Sequence, residues 1–241
     1  MTVLNVAMFG SDELAKSIAK ATDQRDVHTY VHKEYQDEVA KIISIIRPAR
    51  YPERLRPLLN AISAGRVGII EVNSVDATLG EVLVAFASSS INLGLVVINP
   101  PNDEWIDEEM VKKMLAQAGL SNWKFIANDG VEIRNALYQL MEEIEQELVD
   151  SAASQLVVSI DQYFNVKGIG LVAIGYVQSG TINVHDELHI LPAKASGNTK
   201  SLQVMDDDVK QAKSGDRVGI AIRGAKDCLL YTSPSPRDSI R

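Results

Sequence analysis

Over residues 1–150, short apolar runs alternate with helical patterns, and this alternation constrains the fold more than any other feature of the chain. The runs read as strands at Leu4–Phe9, Val27–His32, Ile42–Arg47, Val67–Val72, Gly94–Asn99 and Trp123–Ala127. Helical spacing falls between them, near Asp12–Ala21, Pro52–Ala64, Leu79–Ser89, Asp107–Ala118 and Gly130–Leu148. Short apolar strands alternating with helices predict an α/β unit, a mostly parallel sheet with helices on both faces. Pro52 stands where a first helical turn tolerates proline, and Asp107, Glu108 and Glu109 bring negative charge to a helix start, where the dipole favours it.

The character changes after Asp150. Ser151-Ala152-Ala153-Ser154 reads as a small-residue linker, and helical periodicity stops there. Gln155–Tyr163, Gly170–Gln178, Asp186–Leu191, Ser201–Met205 and Arg217–Ile222 then read as strands, punctuated by Gly168, Gly180, Gly197 and Gly215. Short strands at this spacing predict a small antiparallel β-barrel over 155–227, so an all-β unit follows the α/β unit. From Cys228 onward the string Cys-Leu-Leu-Tyr-Thr-Ser-Pro-Ser-Pro-Arg-Asp-Ser-Ile-Arg resembles translated sequencing-adapter sequence. The authentic chain is expected to end near Lys226 or Asp227, with residues 228–241 an artefact and a further C-terminal domain missing.

Of 241 residues 46% are hydrophobic and 23% charged, which excludes a disordered chain. No run approaches the roughly 20 apolar residues of a membrane helix, and the N-terminus carries no signal-peptide pattern, so the expected compartment is the cytoplasm and no membrane partner is expected. The net charge of −8 argues against a generally basic nucleic-acid binder and against DNA as a partner, leaving room for a local basic face. Cys228 is the single cysteine, which excludes an internal disulfide and any multi-cysteine zinc site. His28 and His32 share a strand face, as His185 and His189 would, but neither pair has a third ligand, and no metal site is expected. The run Asp206-Asp207-Asp208 reads as a solvated loop between barrel strands, and Glu142 to Glu147 as the exposed end of the last α/β helix.

Gly10-Ser11-Asp12-Glu13-Leu14-Ala15-Lys16-Ser17 follows the first strand and has the spacing of a phosphate-binding loop, Gly-x4-Ala-Lys-Ser. In such a loop backbone amides wrap a β-phosphate, the lysine neutralises β/γ oxygens and the hydroxyl binds magnesium. Lys16 and Ser17 suit that work. Ala15 stands in place of the glycine that lets the backbone approach, and Asp12 and Glu13 add negative charge facing any anion. The simpler reading of Lys16 and Ser17 is an ordinary helix start.

The second half carries a specific resemblance. Phe164-Asn165-Val166-Lys167-Gly168-Ile169-Gly170, Val177-Gln178-Ser179-Gly180-Thr181, Asp186-Glu187-Leu188, Leu191-Pro192, Met205-Asp206-Asp207-Asp208-Val209 and Ala212 through Gly224 resemble, in order, the second domain of translational GTPases of the elongation factor Tu class. The nearest echo is the selenocysteine-specific elongation factor branch. One departure is His185, where that family usually has a turn glycine. The resemblance implies a P-loop GTPase-like domain over 1–150, a domain 2-type barrel over 155–227, and tRNA or the ribosome as partner.

Measured against that family, the first domain lacks each chemical element. In Pro48-Ala49-Arg50-Tyr51-Pro52-Glu53-Arg54-Leu55, Pro48 replaces the magnesium-linked aspartate, Tyr51 the glycine that senses the γ-phosphate and Pro52 the water-positioning histidine. Asn99-Pro100-Pro101-Asn102 keeps only Asn99 of the guanine-reading Asn-Lys-x-Asp, and an amide at Asn102 cannot supply the two acceptors guanine requires. Ala127-Asn128-Asp129 sits where the last base-contacting segment belongs, without its serine. Between the first helix and the strand at Ile42 there is room for one strand and a turn, not for a long switch segment. The expectation is a degenerate GTPase with no catalytic residues and no cofactor, in which Gly10, Lys16, Ser17 and Asn99 are a vestigial nucleotide site. The alternatives are a GTP- and magnesium-binding factor with a relaxed loop, and a protein-interaction scaffold outside translation.

Overall fold

The computed structural model describes residues 2–24, 27–36, 39–191, 194–204 and 207–224. Pro192, Met205, Asp206, Lys226, Cys228 and the expected artefact at 228–241 lie outside them. The chain divides into two compact units, Met1–Glu147 and Leu148–Arg241.

The first unit is built on a seven-stranded sheet. Its strands are β1 (Thr2–Phe9), β2 (Lys20–Gln24), β3 (Val27–Gln36), β4 (Val39–Pro48), β5 (Val67–Val72), β6 (Gly94–Ile98) and β7 (Lys124–Ile126). The spatial order is β2-β3-β4-β1-β5-β6-β7. From β4 to β7 the neighbours run parallel, while β2 and β3 are antiparallel additions. The helices are α1 (Asp12–Ile18), α2 (Leu55–Ala64), α3 (Ala77–Ala87), α4 (Glu108–Ala118), α5 (Gly130–Glu143) and α6 (Glu145–Ala152), the last reaching into the second unit. Helix α1 packs on α5, and α3 packs on α2 and α4, so the sheet is covered on both faces. The core of the larger face gathers Leu58, Ile62, Leu79, Leu83, Val111 and Leu115 over Ala7, Ile70, Val72 and Val96.

Four expectations are corrected here. Helix α1 stops at Ile18 because Ala19 turns extended and Lys20–Gln24 joins the sheet edge, so the stretch before β4 holds two strands rather than one. The proline in the first turn of α2 is Pro57; Pro52 lies before the helix, which begins at Leu55. First-turn amides have no intrahelical acceptor, which is why Pro57 costs α2 nothing. The expected linker is shorter, since Ser151 and Ala152 belong to α6 and their carbonyls accept bonds from the Gly180 amide at 2.8 Å and the Thr181 hydroxyl at 3.0 Å. Finally, Asp107 is the N-cap of α4 rather than its first residue, its carboxylate accepting the Glu109 amide at 3.0 Å.

The second unit is antiparallel and barrel-like. Strands β8 (Val157–Val166), β9 (Gly170–Ser179), β11 (Glu187–Ile190), β12 (Ala195–Val204) and β15 (Arg217–Arg223) align in the order β11-β12-β15-β9-β8, with β13 (Asp207–Val209) on β12. A ribbon of β10 (Thr181–Asn183) and β14 (Gln211–Lys213) accompanies them around a core of Leu171, Val177, Ile182, Leu202, Val218 and Ile220. Strand β12 begins six residues ahead of the expected Ser201, with a register shift between Thr199 and Ser201.

Two turns of this unit share one design. Asp186 accepts the Asn183 amide at 2.7 Å, and Asp216 accepts the Lys213 amide at 2.8 Å. The residue before each aspartate is left-handed, His185 at φ 78° and Gly215 at φ 95°. The turn thus puts His185 off the strand, correcting its expected pairing with His189 on one face. Glycine occupies that conformation without Cβ strain. We expect His185→Gly to raise the stability of the second unit by about 1 kcal/mol, read as a higher thermal midpoint; an unchanged or lower midpoint would contradict the shared design.

Candidate functional site

The parallel strands β4, β1 and β5 end together at the point where strand order reverses, the usual place for a ligand crevice in such sheets. A cleft of about 340 Å³ opens there, lined by Phe9, Gly10, Ser11, Arg47, Glu71, Asn73 and Asp76 among others. Helix α3 begins at its rim, where Asp76 accepts the Leu79 amide at 3.0 Å and the Ser74 hydroxyl at 2.8 Å. These bonds hold the Asp76 carboxyl below its ordinary range, the Leu79 amide contributing most.

The β1–α1 turn beside this cleft is not a phosphate loop. Ser11 is extended and caps the helix, its hydroxyl accepting the Leu14 amide at 3.1 Å. Helix therefore begins at Asp12, and residues 12–15, which the loop spacing required to wrap an anion, are helical. Ala15 is fully buried inside α1 and meets no phosphate clash. Lys16 lies 2.5 Å from Asp12, one helical turn away, and the Ser17 hydroxyl donates to the Leu14 carbonyl at 2.7 Å. Asp12 also accepts the Tyr30 hydroxyl. Lys16 first, then Tyr30, holds the Asp12 carboxyl below its usual range, while burial and the Asp12 contact push the Tyr30 phenol up to about 12.

Glu71 holds the turn from the sheet side. It is 1% exposed, near the end of β5. One carboxylate oxygen accepts the Ser11 amide and the other accepts the Asn99 side-chain amide at 2.6 Å. A Cβ at Gly10 would lie 2.9 Å from Glu71, so the turn closes directly onto it. Arg47 fixes the other side, donating from Nε to the Gly10 carbonyl at 2.6 Å.

Of the four expected residues, Gly10 and Asn99 thus meet around Glu71, while Lys16 and Ser17 are turned into their own helix. Asn99 also donates its backbone amide to Val72 at 3.0 Å, and Pro101–Asp103 form a 3-10 turn with Asn102 at φ 54°. GTP with magnesium, which the family implies, does not fit: the Ser11 amide is bonded to Glu71, Lys16 to Asp12, and Asn99 faces inward. Asp129, in the last expected base-contacting segment, is the N-cap of α5 and accepts the Val131 and Glu132 amides at 2.8 and 2.9 Å.

Sequence reasoning missed Glu71, although a lone carboxylate in the apolar run Val67–Val72 is a visible signal. It also missed the ion pair of Asp161 on β8 with Arg217 on β15, 3.7 Å apart and with the guanidinium 5.7 Å from the Tyr176 ring centre. Burial raises the Asp161 carboxyl and Arg217 opposes that rise. His32 lies against the Tyr138 ring, 6.3 Å between centres, and burial, reinforced by Arg134, lowers its imidazole. Among the described residues no group of three His, Cys, Asp or Glu side chains is placed to hold a metal.

Residues 170–229 match the family model described as elongation factor Tu domain 2. An uncharacterized protein of Methanocaldococcus jannaschii is 31% identical over 225 residues, covering 93% of this chain and 68% of that protein. The chain shares a family with that protein and is a relative of the translational GTPase superfamily. The selenocysteine-specific elongation factor of the same organism is 34% identical to it over 149 aligned positions, covering 57% of the chain and 31% of that factor. In fold, this translational GTPase relative is similar to translation elongation factor SelB from Methanococcus maripaludis, with a TM-score of 0.71 at 22% identity. That match covers 96% of the chain and 54% of SelB. A bacterial selenocysteine-specific elongation factor gives a TM-score of 0.70 at 18% identity, covering 94% of the chain and 43% of that structure. The chain spans about two thirds of the uncharacterized relative and between 31% and 54% of these elongation factors.

Proposed function

We propose that this translational GTPase relative is a cytoplasmic binding protein of translation that engages tRNA or the ribosome without hydrolysing GTP. On this reading residues 1–150 are a degenerate G domain, 155–227 a domain 2-type barrel, and Gly10, Lys16, Ser17 and Asn99 the remnant of a nucleotide site. The observation that carries the reading is Glu71, whose carboxylate holds both the Ser11 amide and the Asn99 side chain. Pro48, Tyr51 and Pro52 support it, because none offers a magnesium-linked carboxylate, a γ-phosphate contact or a base for water. The homology to a selenocysteine-specific elongation factor and the domain 2 match support the translation setting.

Calorimetric titration of GTP, GDP and ATP with magnesium into the full chain tests the first half. We expect no affinity tighter than about 1 mM, roughly −4 kcal/mol, and no change on Lys16→Ala. Micromolar GTP binding that Lys16→Ala abolishes would return the protein to the switch-type factors. Anisotropy of a labelled tRNA transcript tests the second half, with saturable binding expected.

A further inference from the structure

We propose that the segment Arg50–Arg56, between β4 and the first turn of α2, is a surface that grips RNA phosphates. The assignment rests on the translation reading above and supplies residues for it. Residues 47–56 hold four arginines and one carboxylate, in a chain whose net charge is −8. Arg47 is committed to the Gly10 carbonyl. Arg50, Arg54 and Arg56 are exposed, and among the described residues none of the three is in an ion pair.

Four lysines of this unit show the contrast, being spread along the chain and each held by a carboxylate. Lys16 is paired with Asp12, Lys41 with Glu142, Lys112 with Glu108 and Glu109, and Lys124 with Glu143. Three like charges within seven residues repel one another and bring the fold no internal partner. Guanidinium groups match phosphate oxygens in geometry and are weakly hydrated, so an external polyanion relieves that repulsion at little desolvation cost.

The segment is also held in place. The Tyr51 ring packs edge-on against Phe9, 5.8 Å between centres and 85° between planes, and its hydroxyl donates to Glu81 at 3.0 Å. The Arg54 amide donates to the Arg50 carbonyl at 2.8 Å, closing the turn that carries both side chains. Leu55 and Leu59, one helical turn apart on α2, are 56% and 48% exposed and give the same surface an apolar strip for a ribose or base face. A preorganised basic turn beside exposed leucines fits an RNA backbone better than a membrane or an acidic globular surface.

The test is anisotropy of a fluorescein-labelled tRNA transcript against KCl concentration, with wild type, the triple variant Arg50→Gln/Arg54→Gln/Arg56→Gln, and a charge-matched control, Lys112→Gln/Lys113→Gln/Lys124→Gln. Each neutralised phosphate contributes about one unit to the log–log salt slope. We expect the triple variant to bind about tenfold more weakly at low salt with a slope reduced by about two to three, while the control stays close to wild type. Tryptophan emission checks that both variants remain folded. An unchanged slope in the triple variant, or an equal loss in the control, would overturn the assignment and leave the translation reading standing. A wild type that does not bind the transcript would overturn both.

Discussion

Glu71→Ala should cost the first unit about 3 kcal/mol of stability. Its carboxylate is the acceptor for the Ser11 amide and the Asn99 side chain, and the residue is 1% exposed, so its truncation takes a charged acceptor from both donors at once. A buried donor left without an acceptor costs about 1–3 kcal/mol, and alanine leaves two. Glu71→Leu should be nearly as damaging, because filling the space does not satisfy the donors. Glu71→Gln keeps one acceptor and should lose about half as much. Both tryptophans, Trp105 and Trp123, lie in the first unit, so urea unfolding followed by tryptophan emission reports that unit specifically. A loss of about 3 kcal/mol moves the midpoint by roughly 1–2 M urea. Pairing Glu71→Ala with Asn99→Ala should give a coupling of about 1–2 kcal/mol, since each removes the other's partner. A Glu71→Ala variant within 0.5 kcal/mol of wild type would show that the carboxylate does not hold the turn.

The same turn explains where sequence reading succeeded and where it stopped. Fold class was legible because two different periodicities meet near Asp150, and the strand runs at Val67–Val72, apolar but for Glu71, and Gly94–Ile98, apolar throughout, are short and bounded by helical patterns. Strands β10, β13 and β14 were not, because three residues are too few to establish a period of two. At the first turn, the Gly-x4-Ala-Lys-Ser spacing competed with a local helix signal in the same residues. Ser11 as N-cap, followed by Asp12 and Glu13 in the first turn, starts a helix before the loop can form, and Asp12 and Lys16 then face each other one turn apart. Losing the loop glycine removed the backbone freedom that would have resisted this. Glu71 and Asn99 were beyond reach of spacing arguments, since they lie 28 positions apart with helix α3 between them, and only the pairing of β5 with β6 brings them together.

The second large loss is expected at Gly68, three residues before Glu71 on the same strand. Gly68 and Gly94 are directly paired between β5 and β6, and the Trp123 indole lies across both. A Cβ at Gly94 would sit 2.6 Å from the indole, and one at Gly68 would overlap it. Trp123 cannot retreat easily: it is 5% exposed and meets Phe86 edge-on, 5.1 Å between ring centres and 76° between planes. Gly68→Ala should therefore cost about 3 kcal/mol, the upper end for overpacking a tight core, and Trp123→Leu alone a similar amount through the cavity it leaves. In combination the alanine methyl enters space the indole has vacated, so the double variant should be more stable than the sum of the two losses by about 1–2 kcal/mol. Circular dichroism in urea measures this without relying on the tryptophan removed; strict additivity would mean that the strain is not at the indole. The consequence reaches the candidate site through β5. If Gly68→Ala displaces that strand, the Glu71 carboxylate moves from the Ser11 amide, and hydrogen exchange at Ser11 should quicken together with exchange in β5 rather than independently of it.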